Sequence, residues 1–202
     1  MFAHQRVDFL IHFERKRVAV GAGKTAIADA AALACLSKGR KVIYTTPLKA
    51  LSNQKLYEFR QRFGDDRVGL VTGDTNIQTQ APVIIMTTEI LRNMVYEVNH
   101  ETPSLSQRLD EIGLVVLDEV HYLGDPSRGS VWEELIVGCP KHIQLLCMSA
   151  TVANPQDLGD WISQIHGPCS TVRTSKRPVP LSWFFAFSIP ESNRTEIQPL
   201  LN

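Results

Sequence analysis

The sequence lacks an excess of either charge. Its 21 lysines and arginines are matched by 21 aspartates and glutamates, for a formal net charge of zero over 202 residues. That balance leaves nucleic-acid binding open, because a local basic groove is enough for it. No apolar run approaches the length needed to span a membrane. The first residues carry no secretory apolar core, nor the long Ser- and Arg-rich stretch of a transit peptide, which a mature or truncated chain would have lost. Cysteine is scarce: Cys35, Cys139, Cys147 and Cys169 have no metal-ligand spacing. Cys35 and Cys147 sit in apolar runs and are expected as buried free thiols of a reducing compartment. The six histidines form no metal-ligand constellation either. No internal repeat and no low-complexity tract is visible.

What remains is the composition of an ordinary globular chain, 44% hydrophobic and 21% charged, long enough for one large domain or two small ones. Short β-rich runs alternate with helical ones, the pattern of βαβ units and a parallel sheet. Strands are expected over 17–20, 42–46, 68–71, 83–87, 114–118 and 144–149. Helices are expected over 24–37, ending before Gly39, over 48–63, ending near Gly64, over 89–98, and over 155–165. Asn154 stands where an N-cap would, with Pro155 at the first helical position. Residues 99–108 read as a surface loop. From Cys169 onward the character changes: 177–180 is extended, 181–187 is a strand-like aromatic run, and 188–202 is polar and expected to fray or to begin a linker. Trp132, Trp161 and Trp183 suit packing better than base stacking.

Two stretches carry chemistry. Residues 114–121 (Leu-Val-Val-Leu-Asp-Glu-Val-His) read as a buried parallel strand that ends in two carboxylates. Ligands of open α/β sheets bind at that end of the strands. Asp118 and Glu119 suit a Mg²⁺ ion carrying nucleotide phosphates, and they equally suit a solvated acidic turn. Residues 21–25 (Gly-Ala-Gly-Lys-Thr) open the first long helix. Backbone N–H groups of Gly21, Ala22 and Gly23 would close on phosphates at a helix N-terminus, Lys24 would neutralise them, and Thr25 would ligate Mg²⁺. The usual loop begins five residues before its second glycine. Here that position is Val18, inside the expected strand, so the loop is too short.

With both stretches present, the chain resembles a superfamily 2 DExH-box helicase. Residues 45–54 (Thr-Thr-Pro-Leu-Lys-Ala-Leu-Ser-Asn-Gln) are similar to motif Ia, 72–74 (Thr-Gly-Asp) to motif Ib, 87–94 to the next RNA-contacting motif, and 149–151 (Ser-Ala-Thr) to motif III. Residues 177–181 resemble a segment of the superkiller and antiviral RNA helicases. Residues 125–134 and 139–141 resemble plant chloroplast and cyanobacterial members. The resemblance implies an α/β, RecA-like (P-loop) fold with a mainly parallel sheet flanked by helices on both faces. It implies that residues 1–175 form the first RecA-like domain and 176–202 begin the following segment.

The resemblance also implies a function: ATP hydrolysis with Mg²⁺, coupled to movement along single-stranded RNA, with DNA as the alternative. Gln5 would contact adenine, Asp118 would hold Mg²⁺, and Glu119 would orient or deprotonate the attacking water. His121, Ser149 and Thr151 would couple nucleotide state to strand binding. Pro47, Lys49, Gly73, Thr87 and Arg92 would grip backbone phosphates, as suits a sequence-indifferent motor. The family has about four more residues between Val20 and Gly21, so the chain is expected to bind ATP weakly. A second RecA-like domain and C-terminal helicase domains are implied partners, and the chain reads as a fragment. A non-catalytic nucleic-acid-binding remnant is the competing reading. The resemblance places the protein inside the cell, in the chloroplast, cytoplasm or nucleus, with no membrane partner.

Overall fold

The aliphatic runs of the sequence become the interior strands of one sheet. The structure, a computed structural model, describes residues 8–13, 23–100, 109–149, 152–174, 184–189 and 194–199. The strands are β1 (Asp8–Phe13), β2 (Lys41–Thr46), β3 (Val68–Val71), β4 (Asn76–Ile77), β5 (Val83–Thr87), β6 (Ile112–Leu117), β7 (Gln144–Ser149) and β8 (Cys169–Thr174). They form an eight-stranded sheet in the order β4-β3-β5-β2-β6-β7-β1-β8. Every described pairing in it is parallel except β3 with the short edge strand β4.

Helices cover both faces, and the strand period of two decides which side chain serves which face. On β2, Val42 and Tyr44 pack with Phe59, Leu70 and Val116 under α1 (Lys24–Leu36) and α2 (Lys49–Phe63). Ile43 points the other way, into a core with Val115, Leu117 and Trp132. That face carries α3 (Thr88–His100), α4 (Gly129–Gly138) and α5 (Pro155–Ile165). No described helix is long and apolar enough to cross a membrane.

The expected strands over 68–71, 83–87 and 144–149 and the helix over 155–165 have the bounds read from the sequence. Others shift by a residue or two: β6 starts at Ile112 and stops at Leu117, leaving Asp118 in the following turn. Asn154 holds the N-cap position with Pro155 behind it, but its side chain does not cap the helix. The amide donates instead to Asp157 Oδ2 at 3.1 Å. The expected strand over 17–20 lies outside the described residues; the strand seen before the glycine-rich turn is β1, inserted between β7 and β8. Of the expected loop over 99–108, the first two residues belong to α3, and 101–108 lie outside the described residues.

The expected frayed tail is corrected in part. Residues Arg194–Pro199 form β10, antiparallel to β9 (Phe184–Ile189), with Ile197 opposite Ala186. Polar residues on an exposed ribbon leave no buried face for a sequence pattern to reveal. All four cysteines are free; Cys139 and Cys147 are buried, whereas Cys35 is only half-buried. The Cys35 Sγ lies 3.6 Å from the Lys41 carbonyl oxygen, and burial pushes the thiol up from its ordinary range.

Candidate nucleotide and nucleic-acid site

Parallel pairing brings the carboxyl ends of β3, β5, β2, β6 and β7 to one edge of the sheet. Asp118 follows β6 there, its N–H bonded to the Thr45 carbonyl of β2 at 3.3 Å. Its Oδ1 accepts the Glu119 backbone N–H at 2.9 Å, and its Oδ2 accepts the Tyr44 hydroxyl at 2.6 Å. Burial pushes the Asp118 carboxyl above its ordinary range, while the Tyr44 hydrogen bond pulls the other way. Tyr44 is itself pushed well above the usual phenol range, first by burial and then by the Asp118 charge, so it stays a donor.

Glu119 turns the chain. It holds φ 54° and ψ 45°, the left-handed region, which is strained for a residue with a Cβ. The turn sends Val120 into the core and swings the Glu119 carboxylate toward α1. There Lys24 Nζ meets Glu119 Oε1 at 3.1 Å, with both side chains partly exposed. Lys24 is the first residue of α1, behind Gly23 at φ 85°. A left-handed residue at that bend favours glycine, and the helix N-terminus behind it favours anions. The other oxygen, Glu119 Oε2, lies 3.2 Å from His121 Nδ1, which is 3.4 Å from Ser149 Oγ.

The structure therefore joins Lys24, Asp118, Glu119, His121 and Ser149 in one cluster. Thr25 is held aside: its hydroxyl accepts from Lys55 Nζ at 3.3 Å, and Lys55 also pairs with Glu58 at 2.8 Å. Lys55 is a site neighbour that the sequence did not single out, because a lysine on an amphipathic helix carries no mark of its own. Gln5, Gly21, Ala22 and Thr151 lie outside the described residues.

The donor set fits Mg²⁺ bound to phosphates. Among the described residues no group of three or more His, Cys, Asp or Glu side chains could cage a metal. Mg²⁺ needs no such cage: it uses one or two carboxylates, retained waters and phosphate oxygens. The half-buried Asp118 carboxylate is a hard-oxygen ligand of that kind, and Lys24 beside it suits the phosphates.

Farther along the same edge lie Pro47 after β2, Gly73 after β3 and Thr87 at the end of β5. Lys49, on the first turn of α2, is ion-paired with Asp74, whose Oδ1 also accepts the Thr72 hydroxyl at 2.9 Å. These bonds hold the Asp74 carboxyl below its ordinary range. Arg92 is turned away from that edge, toward α4: its Nη1 is 3.5 Å from Glu134, and its Nε is buried without a partner. Arg128, also not singled out, donates to the Pro47 carbonyl at 2.6 Å and bonds Glu89.

A parallel sheet flanked by helices on both faces, with a helix-borne lysine set against paired carboxylates at its carboxyl edge, is a RecA-like domain. The chain belongs to the DEAD/DEAH box helicase family, whose profile matches residues 16–158. It is 54% identical over 180 residues to the chloroplastic DExH-box ATP-dependent RNA helicase DExH15 of Arabidopsis thaliana, covering 89% of this chain and 15% of that protein. It is 46% identical over 161 residues to the probable helicase HelY of Mycobacterium tuberculosis, covering 80% and 17%. The chain thus spans about a sixth of these relatives' length. Among solved structures, the DUF1998 helicase MrfA bound to DNA and AMPPNP superposes with a TM-score of 0.64 at 19% identity, over 83% of this chain and 25% of that one. The Pyrococcus furiosus Hef helicase domain gives 0.60 at 22%, over 84% and 35%. At such identities these two show the fold alone. The resemblance to DExH-box RNA helicases, and to a plant chloroplast member among them, is borne out.

Proposed function

We propose that the chain is the ATP-binding motor domain of an ATP-dependent RNA helicase and acts as part of a longer polypeptide. The observation that carries this reading is the Lys24–Glu119 pair, 3.1 Å apart and adjacent to the half-buried Asp118. Bound Mg²⁺-ATP supplies the phosphoryl group and its counter-charge. Lys24, with Gly21, Ala22 and Gly23, would hold phosphates; Asp118, with Thr25 once its hydroxyl leaves Lys55, would hold the metal; Gln5 would read the base. Glu119, released from Lys24, orients the attacking water, and fixed charges at the sheet edge account for most of the catalysis. His121, Ser149 and Thr151 sense the nucleotide state. Pro47, Lys49, Gly73 and Thr87 bind single-stranded RNA along the neighbouring strand ends, with Arg92 behind them. The motor domain is 1–175. Residues 176–202, with the β9–β10 ribbon, begin the next segment. A second RecA-like domain supplies the arginine fingers. The likeness to the Arabidopsis relative favours a chloroplast setting.

The short stretch between Val20 and Gly21 supports a second reading, in which the chain binds RNA and has lost ATP. One experiment separates the two. A fluorescent ATP analogue is titrated with Mg²⁺ into the chain, into a variant with a family-length loop, and into that variant carrying Lys24→Ala. Weak binding that the longer loop restores and Lys24→Ala removes is the expected result. No binding after loop repair overturns the ATPase reading.

A further inference from the structure

We propose that Arg128 and Tyr122 are positioning residues that link the nucleotide site to the RNA-binding strand ends. The inference rests on the helicase reading above. A continuous set of contacts runs between the two regions. Glu119, which grips Lys24, also contacts His121 at 3.2 Å. The His121 ring stacks on Tyr122, with centroids 4.9 Å apart and planes at 27°. Tyr122 stacks on Trp132 at 5.5 Å and 15°. The Arg128 guanidinium lies 5.6 Å from the Tyr122 ring centre and 5.8 Å from that of Trp132. The same guanidinium bonds the Pro47 carbonyl at 2.6 Å and the Glu89 carboxylate. Pro47 and Glu89 follow β2 and β5, the strands whose ends would carry RNA.

The mount of Arg128 is rigid. Asp125 Oδ1 accepts the N–H of Ser127 at 2.9 Å, the Ser127 hydroxyl at 2.7 Å and the N–H of Arg128 at 3.0 Å. Trp132 is fully buried and its indole N–H finds no partner, so its ring face is what the site uses. Arginine suits this post because its planar fork stacks on aromatic rings while bonding two acceptors, and lysine cannot do both. Displacement of Pro47 or Glu89 by a bound strand must therefore move Arg128, and with it the Tyr122–His121 stack beside Glu119.

The test reads the His121 imidazole resonance by NMR at fixed pH in the full 202-residue chain. The signal is assigned with His121→Gln, and His142 and His166 serve as internal references. Single-stranded oligouridylate is added. In wild type the RNA binds and the His121 resonance moves. In Tyr122→Leu, RNA binds as before and the RNA-induced shift is lost. In Arg128→Lys, RNA binding weakens about fivefold and the shift is lost although Tyr122 remains. Should either variant fail to fold, Glu89→Gln, which loosens Arg128 from outside, carries the test and is expected to halve the shift or more. A merely structural role would move the reference histidines as well. RNA binding that leaves wild-type His121 unmoved, or moves it equally in the variants, overturns the inference alone. Wild-type chain that binds no RNA overturns the helicase reading and the inference with it.

Discussion

Lys24 Nζ and Glu119 Oε1 stand 3.1 Å apart, so the lysine proposed to hold phosphates and the carboxylate proposed to orient water neutralise one another. In the proposed function, nucleotide must break this pair to bind. Glu119→Gln weakens the competitor while keeping its shape. In a loop-repaired chain it is expected to tighten ATP-analogue binding about twofold to fivefold, the range of a partly exposed ion pair. Hydrolysis in the same variant should fall to background. Fluorescence titration and phosphate release measure the two effects separately, and an unchanged affinity would count against the competition.

Asp118 makes a stability prediction with a definite sign. Its carboxyl titrates above the ordinary range when folded, chiefly because of burial. Between the ordinary and the raised value the native chain holds more protons than the unfolded one. The group's contribution to stability is therefore full below the ordinary range and lost as pH rises through the raised value. Asp118→Asn removes the half-buried charge and still accepts from Tyr44. It should raise the thermal midpoint by a few degrees at neutral pH, and the gain should shrink in acid. It should also abolish Mg²⁺-dependent nucleotide binding.

Lys49 is engaged by Asp74, which competes with any phosphate. Asp74→Asn is expected to strengthen single-stranded RNA binding, by about threefold at low salt. The steeper fall of affinity with salt is the accompanying sign, since one more lysine then meets phosphate. Filter binding across a salt series measures both.

Gly129 opens α4 with no room for a side chain: a Cβ there would meet the Leu123 carbonyl oxygen at 2.4 Å. Alanine is the better helix former, so propensity alone predicts stabilisation. The contact predicts the reverse, a loss of about 1–3 kcal/mol from overpacking. Chemical denaturation decides the sign.

Much of the fold was legible because buried parallel strands print as aliphatic runs: Val83 to Thr87 and Gln144 to Ser149 were found to the residue. The cluster at the carboxyl edge of the sheet was legible because Lys24, Asp118 and Glu119 sit at strand and helix ends that pattern alone can place. Other parts were not. In α4 the helical spacing of Trp132, Leu135 and Ile136 lay beneath a stretch read only for its resemblance. β8 is a half-exposed edge strand of mixed residues, with neither alternation nor a long apolar run. Lys55 and Arg128 matter through partners distant in sequence, and no local pattern records that Arg128 reaches Pro47.

Glu119 adopts a backbone shape in which glycine would be more comfortable. Glu119→Gly should thus fold at least as stably, by about 0.5–1 kcal/mol on conformational grounds alone. An unselected chain would drift toward that residue or toward asparagine. If Glu119 serves as proposed, a carboxylate at this bend is a case of chemistry overruling foldability at a single peptide unit. Selection for ATP turnover would be recorded there as tolerated tension, and a lineage that had abandoned turnover would have every thermodynamic reason to relax it.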